Sequence, residues 1–229
     1  MAVSLAECDS MIEICEQTGT VLMINHQRRW DNRYIELKRF IDAGNIGSLQ
    51  SIQISLGGSR LCRSGTHMFD LALMFVDGKV KSGLGWLSDP DNFDSGGVGL
   101  FETQDGIRIF VDISAGMNHG FQIDLIGQDG IIRILDGGFQ FECWFIDQSS
   151  EFRLMAKKHL PINYSIRSCW LNAIDDLLNC IETGERPYSS GYEGRAAFEM
   201  ITTIHHSHYS GRSPVFLPIS DRSFRIESN

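Results

Sequence analysis

The chain has 229 residues, enough for one large domain or a domain and a half, with 42% hydrophobic content and a formal charge of −9 scattered along its length. Scattered acidity excludes a nucleic-acid partner that depends on phosphate neutralisation, and no apolar run approaches the ~20 residues that span a bilayer. The six cysteines form no CxxC pair and the N-terminus lacks a signal-peptide pattern, so the expectation is reduced thiols in a cytoplasmic protein.

Leu5, Cys8, Met11, Ile12 and Cys15 recur at helical spacing and Gly19 follows as a stop, which predicts an amphipathic helix over residues 4–18. "VLMIN" then reads as a short parallel strand buried on both faces. A helix feeding such a strand is half of an α/β unit that needs parallel neighbours, and no further clear α/β repeat follows. A second helix is predicted over 32–43, with Tyr34, Leu37 and Ile41 on one face and Gly44 at its end. After it the period becomes two: Ile52, Ile54 and Leu56 alternate, and a helix entered near His67 intervenes. Alternation resumes at Ile107 to Ile113, Phe121 to Leu125 and Phe139 to Phe145. Asp105-Gly106 and Asp129-Gly130 mark tight turns, so this stretch is predicted to be an antiparallel meander. Apolar stripes at Ile166, Trp170, Ala173, Ile174, Leu177, Leu178 and Ile181, then at Ala197, Met200, Ile201 and Ile204, predict two closing helices ending at Gly184 and Gly211. Both are expected to pack on one face of the sheet, leaving the other face for subunit association.

Four stretches, in their order and spacing, resemble the glucose-fructose oxidoreductase and inositol dehydrogenase (Gfo/Idh/MocA) family over nearly the whole chain. They are the run from "SLAECDSM" to "GNIGSLQSI", "GTHMFDLALMF", "LIGQDGIIRI", and "AIDDLLNCIETGERPYSSGYEGRAAFEMI" followed by "GRSPVFLPI". The resemblance implies an α/β (α+β) fold in which residues 28–229 form a C-terminal substrate and oligomerisation domain. Its large, mostly antiparallel open sheet is covered by helices on one face, and residues 1–27 are a remnant helix-strand unit of a Rossmann domain. It also implies an NAD(P)-dependent dehydrogenase acting on a sugar, inositol or related polyol, assembled as a homo-oligomer through the sheet. The family's Gly-rich dinucleotide loop and its Glu-Lys-Pro motif would fall before Met1, and the glycines of "SGGVG" precede a strand instead of opening a helix. The chain therefore reads as a family member starting late. It is expected to lack the main NAD or NADP binding loop and to bind dinucleotide weakly or not at all by itself.

His67 matches the family's helix-start histidine, which accepts the hydroxyl proton as hydride leaves for nicotinamide. Imidazole suits that role because its charge changes near neutral pH, and a place in the first helical turn would favour the neutral ring. The alternative is a histidine that only caps or packs. Asp70, one turn on, either orients that ring or anchors the helix to the core. Arg63 and Ser64 stand where many members place an aspartate, which makes them the substrate-side candidates. His26, Arg28 and Arg29 leave the predicted strand in "NHQRRW", where they would face the nicotinamide, its phosphates or a polar substrate. Against that stands a solvated basic turn, or an arginine paired with an acid. In "HHSH" only His205 and His208 share a helix face and no Cys or carboxylate completes a ligand set, so no metal is expected. A different class of reading, a non-catalytic oligomerisation or sugar-binding module, gives His67 only a structural part.

Overall fold

The Ser4 hydroxyl accepts the Glu7 N–H and so begins α1, Leu5–Thr18, which Gly19 ends in the left-handed conformation. The computed structural model describes residues 1–229 except 77–78, 93, 116–119, 148, 150, 153 and 227–229. Leu5, Cys8 and Ile12 are the buried residues of α1, and the helix lies against α5, Gly191–Tyr209. Arg195 on α5 pairs with Asp9 on α1.

The strand expected at "VLMIN" does not form. Residues 21–24 are extended but only half-buried, held by a single antiparallel bridge from Met23 to Ser190 and by the Ile24 N–H donating to Ser189 O at 2.8 Å. A strand buried on both faces needs ladder neighbours, and among the described residues none is offered. The segment lies on α5 instead, where two glycines one turn apart leave room. A Cβ at Gly191 would stand 2.7 Å from Leu22 Cδ2, and one at Gly194 2.9 Å from Ile24 Cγ1.

Asp31 caps α2, Asn32–Asp42, by accepting the Arg33 N–H at 3.0 Å, and the helix buries Tyr34, Leu37 and Ile41. Nine strands then form one sheet: β1 Leu49–Gly57, β2 Val80–Leu87, β3 Gly97–Thr103, β4 Arg108–Ala115, β5 Phe121–Gly127, β6 Gly130–Leu135, β7 Gln140–Ile146, β8 Met155–Lys158 and β9 Val215–Phe216. Their order is β8-β7-β6-β5-β1-β4-β3-β2-β9. The predicted meander is thus broken once: β1 inserts between β5 and β4 and pairs with β4 in parallel, every other pairing being antiparallel. A parallel pair needs a crossover, and the chain supplies it through α3, Thr66–Phe75, and the β2-β3 hairpin.

Ile52, Ile54, Ile109, Val111, Ile113, Ile123, Leu125, Ile132 and Ile134 are buried at alternate positions and share one core with the buried side chains of α2, α3 and α5. Over β2 and β3, α5 comes close because the sheet is glycine-rich there. A Cβ at Gly85 or Gly99 would lie 3.0 Å from the Ile204 side chain. The glycines of "SGGVG" thus serve helix-on-sheet packing.

Helix α4, Cys169–Thr183, departs from expectation. Only Ala173 and Cys180 are buried, while Trp170, Leu171, Ile174, Leu178 and Ile181 are exposed. It is held from its other side by the turn Gln27–Trp30: Trp30 Nε1 donates to Asp176 Oδ2 at 2.9 Å and Asn172 Nδ2 to Trp30 O at 2.8 Å. An apolar stripe says that a face is suited to burial and does not say against what. All six cysteines are free. Among the described residues no helix is long and apolar enough to cross a membrane.

Candidate active site

The site begins where the chain leaves β1. Leu61–Gly65 forms one π-helical turn, with the Gly65 N–H donating to Arg60 O at 3.0 Å, and α3 continues from it at Thr66. Asp94 Oδ1 accepts the Cys62 N–H at 2.8 Å and so caps this turn from 32 residues away. Gly65 is required by space: a Cβ there would meet Arg60 O at 2.8 Å and Ile113 Cδ1 at 2.9 Å. His67 consequently follows a full turn of helical backbone. His67 is the second residue of α3, the first-turn position predicted for it, though the π-turn ahead of it moves the free helix start, and with it the positive end of the dipole, back to Leu61.

Asp70 is 1% exposed, and its carboxylate meets Arg29 and His26, the anchoring one of the two roles expected for it, while still acting on the charge of His67. Arg29 Nε donates to Asp70 Oδ1 at 2.8 Å and Oδ2 at 3.0 Å, while His26 Nδ1 lies 3.0 Å from Oδ1. A buried carboxylate is tolerated when a charge and hydrogen bonds compensate it, and Arg29 does both. Its guanidinium is therefore committed to an acid. The His26 contact is too bent for a directed hydrogen bond, since Nδ1 is otherwise without a partner. His26 Nε2 is 3.4 Å from Thr66 Oγ1.

The His26 and His67 rings meet edge to face, centroids 5.5 Å apart. Arg28 packs over the Phe121 ring at 4.5 Å. His26, Arg29, His67 and Asp70 are thus brought together, whereas Arg63 and Ser64 lie exposed on the outside of the π-turn. A cleft of about 350 Å³ opens at His67, lined also by Asn25, His26, Cys62, Thr66 and the apolar side chains of Val3, Ile24 and Phe198. Sequence reasoning missed Thr66, Cys62 and Asp94. Thr66 is adjacent to His67 and could have been found by proximity; Asp94 carries no local signal.

Burial, His26 and Arg28 together lower the His67 pKa to about 4, with Asp70 opposing them. The ring is neutral at pH 7, its Nδ1 buried without a partner and its Nε2 the nitrogen left accessible. Burial and the Asp94 carboxylate push the Cys62 thiol up, so it lines the cleft uncharged. The "HHSH" run makes no such site: His206 and His205 pack on Phe224, at 4.8 and 5.9 Å, and His208 Nδ1 accepts the Leu87 N–H at 3.2 Å. Among the described residues no group of three or more His, Cys, Asp or Glu side chains is placed to hold a metal ion.

No family model matches the chain. Over 156 residues it is 25% identical to inositol 2-dehydrogenase 2 of Saccharopolyspora erythraea, a match covering 58% of this chain and 45% of that protein. Its fold superposes on an inositol dehydrogenase homolog from Azotobacter vinelandii complexed with NADH and myo-inositol, with TM-score 0.77 and 14% identity over 93% of this chain and 69% of that one. In sequence over about half its length, and in fold over nearly all of it, the chain is similar to inositol dehydrogenases. A further solved neighbour is the aldose-aldose oxidoreductase of Caulobacter crescentus complexed with glycerol, with TM-score 0.75 and 18% identity over 93% of this chain and 69% of the other. The chain spans somewhat under half the length of the curated relative it matches. The mixed α/β fold with a large, mostly antiparallel sheet is the one expected of the family.

Proposed function

We propose that this chain carries the acid–base half of an NAD(P)-dependent dehydrogenase acting on a sugar, inositol or related polyol, with residues 28–229 as its substrate and association domain. The observation that carries the reading is His67: a neutral, half-buried imidazole with Nε2 accessible on a polar-lined cleft. The complexes of the two solved neighbours, with myo-inositol and with glycerol, support a polyol as the substrate class. A bound nicotinamide supplies the hydride acceptor. What this chain's residues do is take the proton: the hydroxyl proton passes to His67 Nε2, and the Asp70 carboxylate favours the imidazolium that results.

Gly97 and Gly99 lie under α5, and Arg29 is taken by Asp70. The 229 residues by themselves are therefore proposed to bind NAD or NADP weakly or not at all, and a cytoplasmic location goes with this reading. The test follows reduced-nicotinamide absorbance with the protein as its cell makes it, over a panel of inositols and aldoses with NAD⁺ and NADP⁺. Turnover that falls on the order of 10²–10⁴-fold in His67→Ala is expected. Absence of turnover with every panel member in the native protein overturns the reading.

A further inference from the structure

On the reading of His67 as the base, we propose that His26 is a positioning residue, which packs edge to face on the His67 ring and favours its unprotonated form. His26 is 4% exposed, so it is no incidental surface group. Charge balance does not require it either, because Arg29 already meets both oxygens of Asp70. Its Nδ1 lies 3.0 Å from Asp70 Oδ1 without a directed hydrogen bond, and a buried polar atom left in that state calls for an explanation.

The explanation lies on the ring's other side. His26 stands edge to face with His67, centroids 5.5 Å apart at 76° between planes, and the Thr66 hydroxyl, 3.4 Å from Nε2, is its remaining polar contact. The groups that face His67 are His26 and Arg28 from residues 26–30, Asp70 from its own helix, and the Cys62 thiol from the π-turn beside it. Burial does most to oppose a charge on His67, His26 and Arg28 add to it, and Asp70 favours one. Arg28 is occupied with Phe121, which leaves His26 as the neighbour in direct ring contact. The base is thus empty at rest, with a carboxylate in reserve for the charge that arrives with the proton.

The test is an NMR titration of the His67 ring in the 229-residue protein, native and His26→Phe, the variant keeping an aromatic edge but no titratable nitrogen. The native midpoint is expected near 4, and His26→Phe is expected to raise it by about one pH unit. His26→Gln, expected to give a rise in the same direction, replaces it should the phenylalanine variant lose its fold by circular dichroism. In the active protein the acid limb of the kcat/KM profile shifts with the midpoint. A His67 midpoint that stays in place in a folded variant overturns the proposal. Because the titration uses neither substrate nor cofactor, that result is separate from a failure to find dehydrogenase turnover, which overturns only the functional reading.

Discussion

His205 is 3% exposed on α5, its Nε2 unpartnered, with Phe224 and Tyr209 packed at 5.9 and 6.5 Å from its ring. Burial, aided by His208 and His206, lowers its pKa to about 4 from the ordinary 6.5. Between those two values the unfolded chain binds a proton that the folded chain refuses, so stability is fully present above pH 6.5 and falls as pH drops toward 4. At roughly 1.4 kcal/mol per pKa unit the loss is on the order of 3 kcal/mol. Burial shifts His67 in the same direction, so it works in the same window. The expected outcome is a melting temperature that declines steadily from pH 7 to 4.5, with a shallower decline in His205→Phe. An equally steep decline in the variant would assign the effect to other groups. At this scale the sequence was legible where chemistry and position coincide: His67 stood out by its match to a motif, Asp70 by lying one helical turn on, and Arg29 by leaving the end of a predicted strand. Which acid each base would meet was not legible. Asp70 meets Arg29 from 41 residues away, a pairing set by packing.

The π-turn Leu61–Gly65 is the element on which the site depends, and Gly65 is its tightest point. Its backbone is ordinary right-handed helix, so alanine is acceptable conformationally and unacceptable sterically. A methyl group would stand 2.8 Å from a backbone oxygen, which has nowhere to move without unwinding the turn that precedes His67. Gly65→Ala is therefore expected to cost about 1–3 kcal/mol in urea unfolding, the range of an overpacked core site. It should also displace the His67 ring signals in an NMR spectrum. A stability within error of native, with unmoved His67 signals, would contradict this account of the turn. The turn itself was hidden from sequence reasoning because "RLCRSG" carries no apolar period. In contrast, the strands at Ile52–Leu56 and Ile109–Ile113 were plain from alternation, since one side of the sheet is buried and the other is not. "VLMIN" and the α4 stripe show the limit of that signal. Both are apolar enough to be buried, and the partners that would decide how lie outside their own local pattern.

Across the whole molecule, helices cover one face of the sheet and leave the other bare. That bare face carries Leu84, Trp86, Val98, Leu100 and Phe110, with Trp86 36% and Phe110 39% exposed, bordered by Asp112 and by the Asp124–Arg133 pair at 3.0 Å. An apolar centre with a polar border is the pattern of an association surface. The sheet's two edges are poor alternatives: β8 presents Lys157 and Lys158, and β9 is two residues long. We propose a homo-oligomer built through the bare face, as the family resemblance implies. Sedimentation velocity at micromolar concentration should find the native chain associated, and Phe110→Lys should weaken association by at least about tenfold by burying an unpaired charge. The exposed stripe on α4 supplies the control, because it is a second apolar surface on a different part of the molecule. Ile174→Lys should leave the association constant unchanged if the sheet face is the interface. A native chain that sediments as a monomer, or one dissociated by Ile174→Lys and untouched by Phe110→Lys, would move the interface off the sheet.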